Sequence, residues 1–218
     1  MRRQSLILAK TFSTLWRHCS KMQANMETAL ETEALILRPW RREDIDQLVE
    51  GLNNIKVSQW LAFVPHPYLR SDGLKWIEYC QRLSPYEGAQ RDYEFAIEQK
   101  VDHAVIGGVS LNNIDVARGC AGGGIWISAA YQRLGYGREA FGERIRFAFD
   151  TLHLLELHNG YFIGNEPSWD LQKRFGYKRT AAEPRRRQCL ADGSWKDEII
   201  TSLSRGDWIR TKAGSNAP

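Results

Sequence analysis

The chain has 218 residues, 43% hydrophobic and 26% charged, which is enough for one well-buried α/β domain and short for two. No apolar run approaches the ~18 residues of a membrane-spanning helix, so no membrane partner is expected. The net charge of +4 is concentrated in residues 1–25, where Arg2, Arg3, Lys10, Arg17 and Lys21 face no acidic residue and leave residues 26–218 at −1; a phosphate-neutralising surface normally shows in the folded body, so direct nucleic-acid binding is not expected either.

Residues 1–25 form a basic extension that interleaves Leu6, Ile7, Leu8, Phe12, Leu15 and Trp16 with Arg, Lys, Ser and Thr. Two readings fit it: an organellar transit peptide, or an over-extended start with Met22 or Met26 as the true beginning, the second preferred. The domain proper is expected over residues 26–210. Ala34 to Arg38 reads as a strand ended by Pro39, and Ile45, Leu48, Val49 and Leu52 recur at helical spacing. Trp60 to Tyr68, with two prolines and no period, reads as a loop that either lines a cleft or packs its aromatics on the core. A helix from Leu74 to Leu83 follows. Tyr93 to Glu98 alternates as a strand with one buried face, and Ala104 to Leu111 is a mostly apolar strand in which Gly107 and Gly108 predict a bulge or a close backbone approach.

Gly124 to Ser128 is the next strand, and Phe141, Ile145, Ala148, Phe149 and Leu152 predict an amphipathic helix over 138–152. Leu155 to Ile163 reads as a strand and Trp169 to Arg174 as a short helix stopped by Gly176. Asp192-Gly193 between Arg185–Leu190 and Trp195–Leu203 predicts a hairpin. The small, polar residues at 211–218 are expected to be a disordered tail.

Four cysteines, Cys19, Cys80, Cys120 and Cys189, show no metal-like spacing. A reducing compartment and no metal are therefore expected, with the cytoplasm as location and the mitochondrion as the alternative if residues 1–25 are a transit peptide.

Between the strand and the amphipathic helix lies Gln132-Arg133-Leu134-Gly135-Tyr136-Gly137. Two glycines spaced by one residue let several N–H groups turn into one concavity at the positive end of a helix, a form suited to phosphate. A P-loop is excluded because no Gly-x4-Gly-Lys-[Ser/Thr] occurs. A dinucleotide frame exists as Gly135-x-Gly137-x-x-Ala140, with Glu156 about 20 residues on, but Glu156 opens a strand where that motif closes one.

The loop also matches Gln/Arg-x-x-Gly-x-Gly/Ala in full. Ile125-Trp126-Ile127 precedes it, and Asn165-x-x-Ser168 with Phe175-Gly176-Tyr177 follows. Glu33 to Trp40 opens the chain's patterned part, and Asp192 to Asp197 with Asp207-Trp208 closes it. In these elements, taken in order over residues 33–210, the sequence resembles the GNAT superfamily of N-acetyltransferases, and within it the ribosomal-protein-alanine acetyltransferases of the RimJ and RimL type.

The resemblance implies one α/β (α+β) domain with a mixed, mostly antiparallel sheet flanked by helices and splayed where acetyl-CoA binds. It implies that the backbone of Ile125, Trp126 and Ile127 meets the pantetheine arm, and that Gln132, Arg133, Leu134, Gly135, Tyr136, Gly137 and Arg138 hold the pyrophosphate. Ser168 is implied to protonate or bind the coenzyme sulfur, and Asn165 to fix the pantetheine or an ordered water. Both residues would equally cap the helix that follows them. Where related enzymes carry an acidic base before the closing hairpin, this chain has Arg185-Arg186-Arg187-Gln188-Cys189, which leaves the base open among Glu94, Asp115, Glu183 and Glu198. Three functions remain open: acetylation of a protein N-terminal alanine, with ribosomal proteins among the acceptors; acetylation of a small amine or amino acid; and a coenzyme-binding regulatory module without turnover. The sequence does not indicate an oligomeric state.

Overall fold

The computed structural model describes residues 29–83 and 92–215, so the basic extension over 1–25 and the last residues of the tail lie outside it. Strands β1 (Leu30–Glu31) and β2 (Leu35–Pro39) lead to helix α1 (Ile45–Leu52), the short α2 (Ile55–Ser58) and α3 (Arg70–Arg82). Strands β3 (Tyr93–Gln99), β4 (Val105–Asp115), β5 (Cys120–Gly122) and β6 (Ile125–Ile127) then run into helix α4 (Tyr136–Arg146). After β7 (Glu156–Phe162) come α5 (Glu166–Arg174), β8 (Lys178–Arg179), β9 (Arg185–Gln188), β10 (Trp195–Ser204) and α6 (Arg205–Ser215). Among these described elements no helix is long and apolar enough to cross a membrane.

The strands form one mixed, mostly antiparallel sheet in the order β1-β2-β3-β4-β5-β7-β10-β8, with β6 on β4 and β9 on β10. Among the described strands one pairing is parallel, Cys120 and Ala121 of β5 against Glu156 and Leu157 of β7. Helices cover both faces. Ile45, Leu48, Leu52 and Ile77 pack α1 and α3 over Ala96 and Val105. Phe141, Ile145 and Phe149 pack the α4 segment against Leu37, Phe95, Ile97 and Leu157. This double cover corrects the expectation for β3: its alternation predicts one buried face, yet Phe95 to Gln99 are all buried. Its polar members stay inside because they are paired, as Glu98 is with the Arg38 guanidinium.

Two further expectations change. Helix α4 ends at Arg146, and Phe147–Thr151 widens into a π turn before β7. The tail is helical as far as Ser215, through part of the 211–218 stretch expected to be disordered. Ser204 Oγ accepts from Asp207 N–H at 3.0 Å at its start, Asp207 pairs with Arg210 at 2.7 Å, and buried Trp208 stacks at 5.3 Å on Phe149. Short β1, α2 and β8 carry too few residues for a period to show. Gly107 and Gly108 mark a close approach, since a β-carbon on Gly107 would lie 2.3 Å from the Trp126 carbonyl oxygen.

Candidate active site

The sheet opens beside β6. Trp126 faces Gly108 of β4, flanked by Ile125↔Val109 and Ile127↔Gly107. Ser110 N–H donates to the Gly124 carbonyl and Ser128 N–H to Ile106, both at the β4 edge. By antiparallel alternation the N–H and C=O groups of Ile125 and Ile127 therefore face the opposite edge. There β7 pairs with β5 only through Glu156 and Leu157, while on its other edge all its residues from Glu156 to Phe162 pair with β10. A gap lined on one side by free strand backbone results.

The splay has a local cause. Gly123 takes φ +142, where a β-carbon would fall 2.1 Å from the Ser110 oxygen, so only glycine fits. With the ladder broken there, the fully buried Arg144 of α4 supplies the missing donors: Nε to Ser110 O at 2.6 Å, Nη2 to Gly122 O at 3.0 Å and to Asn159 Oδ1 at 3.1 Å. Its guanidinium also lies over the Phe141 ring at 5.1 Å. Reading the sequence missed this residue. The available signal was its place inside the apolar stripe Phe141, Ile145, Ala148.

At the mouth of the gap stands the start of α4. Gly135 takes φ +94 and Arg133 φ +63, and Gln132 Nε2 donates to Ile127 O at 2.9 Å, which fastens the loop to the end of β6. No side chain caps the helix. Its first internal bond runs from Glu139 N–H to the Gly135 carbonyl at 3.1 Å, so the N–H groups of Tyr136, Gly137 and Arg138 point out of the helix end. A β-carbon on Gly137 would meet nothing nearer than Ile127 at 3.5 Å. Packing therefore does not require glycine there, and its bareness leaves the helix end open to an anion. Leu134, Arg133 and Arg138 are exposed around it.

Because β7 runs parallel to β5, the α5 start after β7 lies at the same end of the sheet as this loop. Asn165 Oδ1 accepts from Ser168 N–H at 3.3 Å, so Asn165 caps α5. Ser168 Oγ accepts from Gln172 Nε2 at 3.1 Å, and Gln172 in turn accepts from Thr201 at 2.5 Å. The cap reading holds for Asn165, and it leaves the amide nitrogen of that side chain available.

On the α1–α3 face a cavity of about 690 Å³ reaches Gly124, Ile125 and Trp126 of β6. Leu61 to Pro65 and Tyr68 line it, so the proline-rich loop bounds a cleft while Tyr68 also packs into the core. Of the four carboxylates left open as bases, Glu94 lines this cavity. Burial, reinforced by nearby Asp92, pushes its carboxyl up to about 8 against the pull of Asn112 and Arg144. The other three are committed or remote. Asp115 accepts from Arg118 N–H at 3.0 Å, Glu198 pairs with Arg187 at 2.9 Å, and Glu183 is exposed. The arginine run is the outer hairpin strand, Arg185 and Arg186 exposed and Arg187 paired.

A splayed mixed sheet with an uncapped helix start at the gap defines a class, and residues 34–178 match the family model described as acetyltransferase (GNAT) domain. The chain belongs to the GNAT family of acetyltransferases. It is 31% identical over 85 residues to the [Ribosomal protein uS5]-alanine N-acetyltransferase of Escherichia coli (strain K12), a match spanning 39% of this chain and 43% of that enzyme, less than half its length. YdaF of Bacillus subtilis (strain 168) is 24% identical over 188 residues, which cover 84% of this chain and 98% of that protein. Among solved structures, Mycobacterium smegmatis RimJ in complex with CoA-disulfide superposes with a TM-score of 0.68 at 17% identity, over 87% of this chain and 93% of that one. A spermidine N-acetyltransferase from Vibrio cholerae in complex with CoA and spermine gives 0.67 at 17% identity, over 82% and 99%. At these identities the two structures attest the fold.

Proposed function

We propose that the protein transfers the acetyl group of acetyl-CoA to the N-terminal amine of a protein, an alanine terminus first, with ribosomal proteins as the first acceptors to examine. The observation that carries the transfer is the gap between β6 and β7, with free strand backbone on one side and an uncapped helix start at its mouth. Acetyl-CoA supplies an activated thioester carbonyl. The residues fit it. The outward N–H groups of Tyr136, Gly137 and Arg138, with the guanidinium groups of Arg133 and Arg138, hold the pyrophosphate, a helix-end contribution of ~0.3 to 2 kcal/mol before the charge-assisted bonds are counted. Ile125 and the N–H of Ile127 bond the pantetheine amides along the open edge, the Ile127 carbonyl being taken by Gln132. Leu134 and Gly135 shape the loop, and Gln132 holds it to β6.

The acceptor amine enters from the cavity on the other face of β6. Glu94 takes the proton that the amine loses as its nitrogen bonds the carbonyl carbon, the carbon–sulfur bond breaks, and the departing thiolate takes a proton from Ser168, which solvent replaces as Glu94 releases its own. Asn165 orients the pantetheine with its free amide nitrogen. An α-amino group of pKa ~8 is about a fifth neutral at pH 7.4, so a base pushed up to about 8 is matched to it. The name of the E. coli relative favours a protein terminus. The spermidine enzyme among the structural neighbours is the observation that favours a small amine instead.

Calorimetry with acetyl-CoA tests the first step, and thiol release with an alanine-starting peptide against spermidine tests the second. Gly137→Glu sharpens the loop assignment: it is expected to abolish acetyl-CoA binding with an unchanged circular-dichroism spectrum, and retained binding would refute the loop as the pyrophosphate site.

A further inference from the structure

The cavity beside β6 is built around aromatic rings. The Trp126 indole forms its floor and stacks on Trp40 with ring centroids 6.4 Å apart and planes 11° from parallel. Two glycines make room for that indole. A β-carbon on Gly51 would come within 2.7 Å of it, and one on Gly108 within 2.7 Å of its Nε1. Two elements far apart in sequence, α1 and β4, thus forgo side chains to seat a single ring, which the backbone role expected of Trp126 does not explain. Across the cavity, Trp76 and Tyr79 of α3 meet at 5.4 Å. Phe63 closes the rim from the loop, 75% exposed and held under the Arg187 guanidinium at 5.4 Å.

The charges in this space are few. Asp72 accepts from Leu69 N–H at 3.1 Å as the cap of α3, and Lys75, one helical turn on, also lines the cavity and offsets it. Among the described residues Glu94 is the remaining lining carboxylate. Such a wall offers one carboxyl group to take the proton of one amine and apolar surface for whatever is attached to it. A polyamine would bring further cations, and the described lining offers them no carboxylate beyond Glu94 and the engaged Asp72. An unadorned alanine methyl would leave most of about 690 Å³ uncovered.

We infer that the acceptor is a singly charged N-terminal amine followed closely by a bulky apolar side chain, aromatic in size, which lies on the Trp126–Trp40 floor against Trp76. This rests on the acetyl-transfer function proposed above and names its acceptor class. The side chain enters with its amine directed to Glu94, and Phe63 covers it at the rim.

The experiment compares three hexapeptides of otherwise identical sequence, beginning Ala-Phe, Phe-Ala and Ala-Ser, with spermidine, by thiol release from acetyl-CoA. One of the two phenylalanine peptides is expected to exceed Ala-Ser in kcat/KM by about tenfold or more, the scale on which apolar pockets discriminate, with spermidine slowest. Phe63→Ala, at an exposed rim position that leaves the core intact, narrows that ratio while the Kd for acetyl-CoA stays unchanged. Trp76→Ala narrows it further. Equal rates for all three peptides, or spermidine as the fastest acceptor, would overturn the inference while leaving acetyl transfer standing. Acetyl-CoA binding without transfer to any of the four would overturn the acetyl-transfer function and this inference with it.

Discussion

Glu94 and Glu98 lie four residues apart on β3 with their side chains on the same face of the sheet, yet their surroundings drive them in opposite directions. Glu94 is half-buried beside Asp92 and pushed up to about 8; Glu98 is also penalised by burial, but hydrogen bonds from His103 and Arg38 outweigh that and hold it below the usual range. Around Glu94 the titrating or charged groups are Asp92 just before β3, Tyr79 and Cys80 on α3, and Arg144 on α4. If Glu94 is the base, Glu94→Gln lowers kcat by about a hundredfold or more. The pH profile separates this from a structural loss. Below pH 7 the logarithm of kcat/KM rises with a slope of about two in the wild type, one proton from the amine and one from Glu94, and about one in Glu94→Gln. Parallel profiles would remove Glu94 from the chemistry. The sequence placed Glu94 among four carboxylates without ranking them, because burial and a neighbour such as Asp92 are properties of the packed sheet.

At the level of elements, the active gap depends on a strand that breaks between β5 and β6. The glycine loop was legible in the sequence, since two glycines in a six-residue frame restrict the backbone directly. The hinge at Gly123 was not, because its reason is the Ser110 oxygen 2.1 Å from where a β-carbon would be, and Ser110 belongs to another strand. Arg144 completes the hinge by bonding the Ser110 and Gly122 carbonyls that the broken ladder leaves over. Arg144→Met keeps the volume and removes the donors to two half-buried carbonyls and the buried Asn159 side-chain oxygen. The expected loss is about 2–4 kcal/mol of unfolding free energy, read by urea denaturation. A change under about 0.5 kcal/mol, the usual scatter of surface substitutions, would show that the hinge does not need the guanidinium.

Across the whole molecule, contacts of long sequence separation assemble the site. The tip of the β9–β10 hairpin docks on the loop after α2, with Leu190 N–H to Ala62 O at 3.1 Å and Lys196 Nζ to Gln59 O at 2.6 Å, and this ties the loop that lines the cavity to the far end of the chain. At the other edge the Arg38 guanidinium donates to both Asp44 oxygens at 2.8 Å and to Glu98, joining β2, the turn into α1, and β3. The sign of its pH effect follows from the lowered Glu98: its stabilisation is present above the unfolded carboxylate value and is lost as pH falls through the lower folded value. Glu98→Gln is expected to cost about 3 kcal/mol at pH 7, as when one partner of a buried pair is removed. The difference from wild type should shrink at pH 3. An equal difference at both pH values would mean that the Glu98 charge contributes nothing.

The sequence by itself determined the family, the strand–glycine loop–helix unit and the order of most elements, because backbone freedom, hydrophobic period and turn chemistry are written within a few residues of one another. Only the tertiary structure decided that β3 is buried on both faces, that Arg144 holds the splay, that Glu94 rather than Asp115, Glu183 or Glu198 faces the cavity, and that Trp126 floors it. Each of these depends on atoms brought together from distant strands and helices, where the exclusion of water sets both the acidity of a carboxyl group and the fit of a ring.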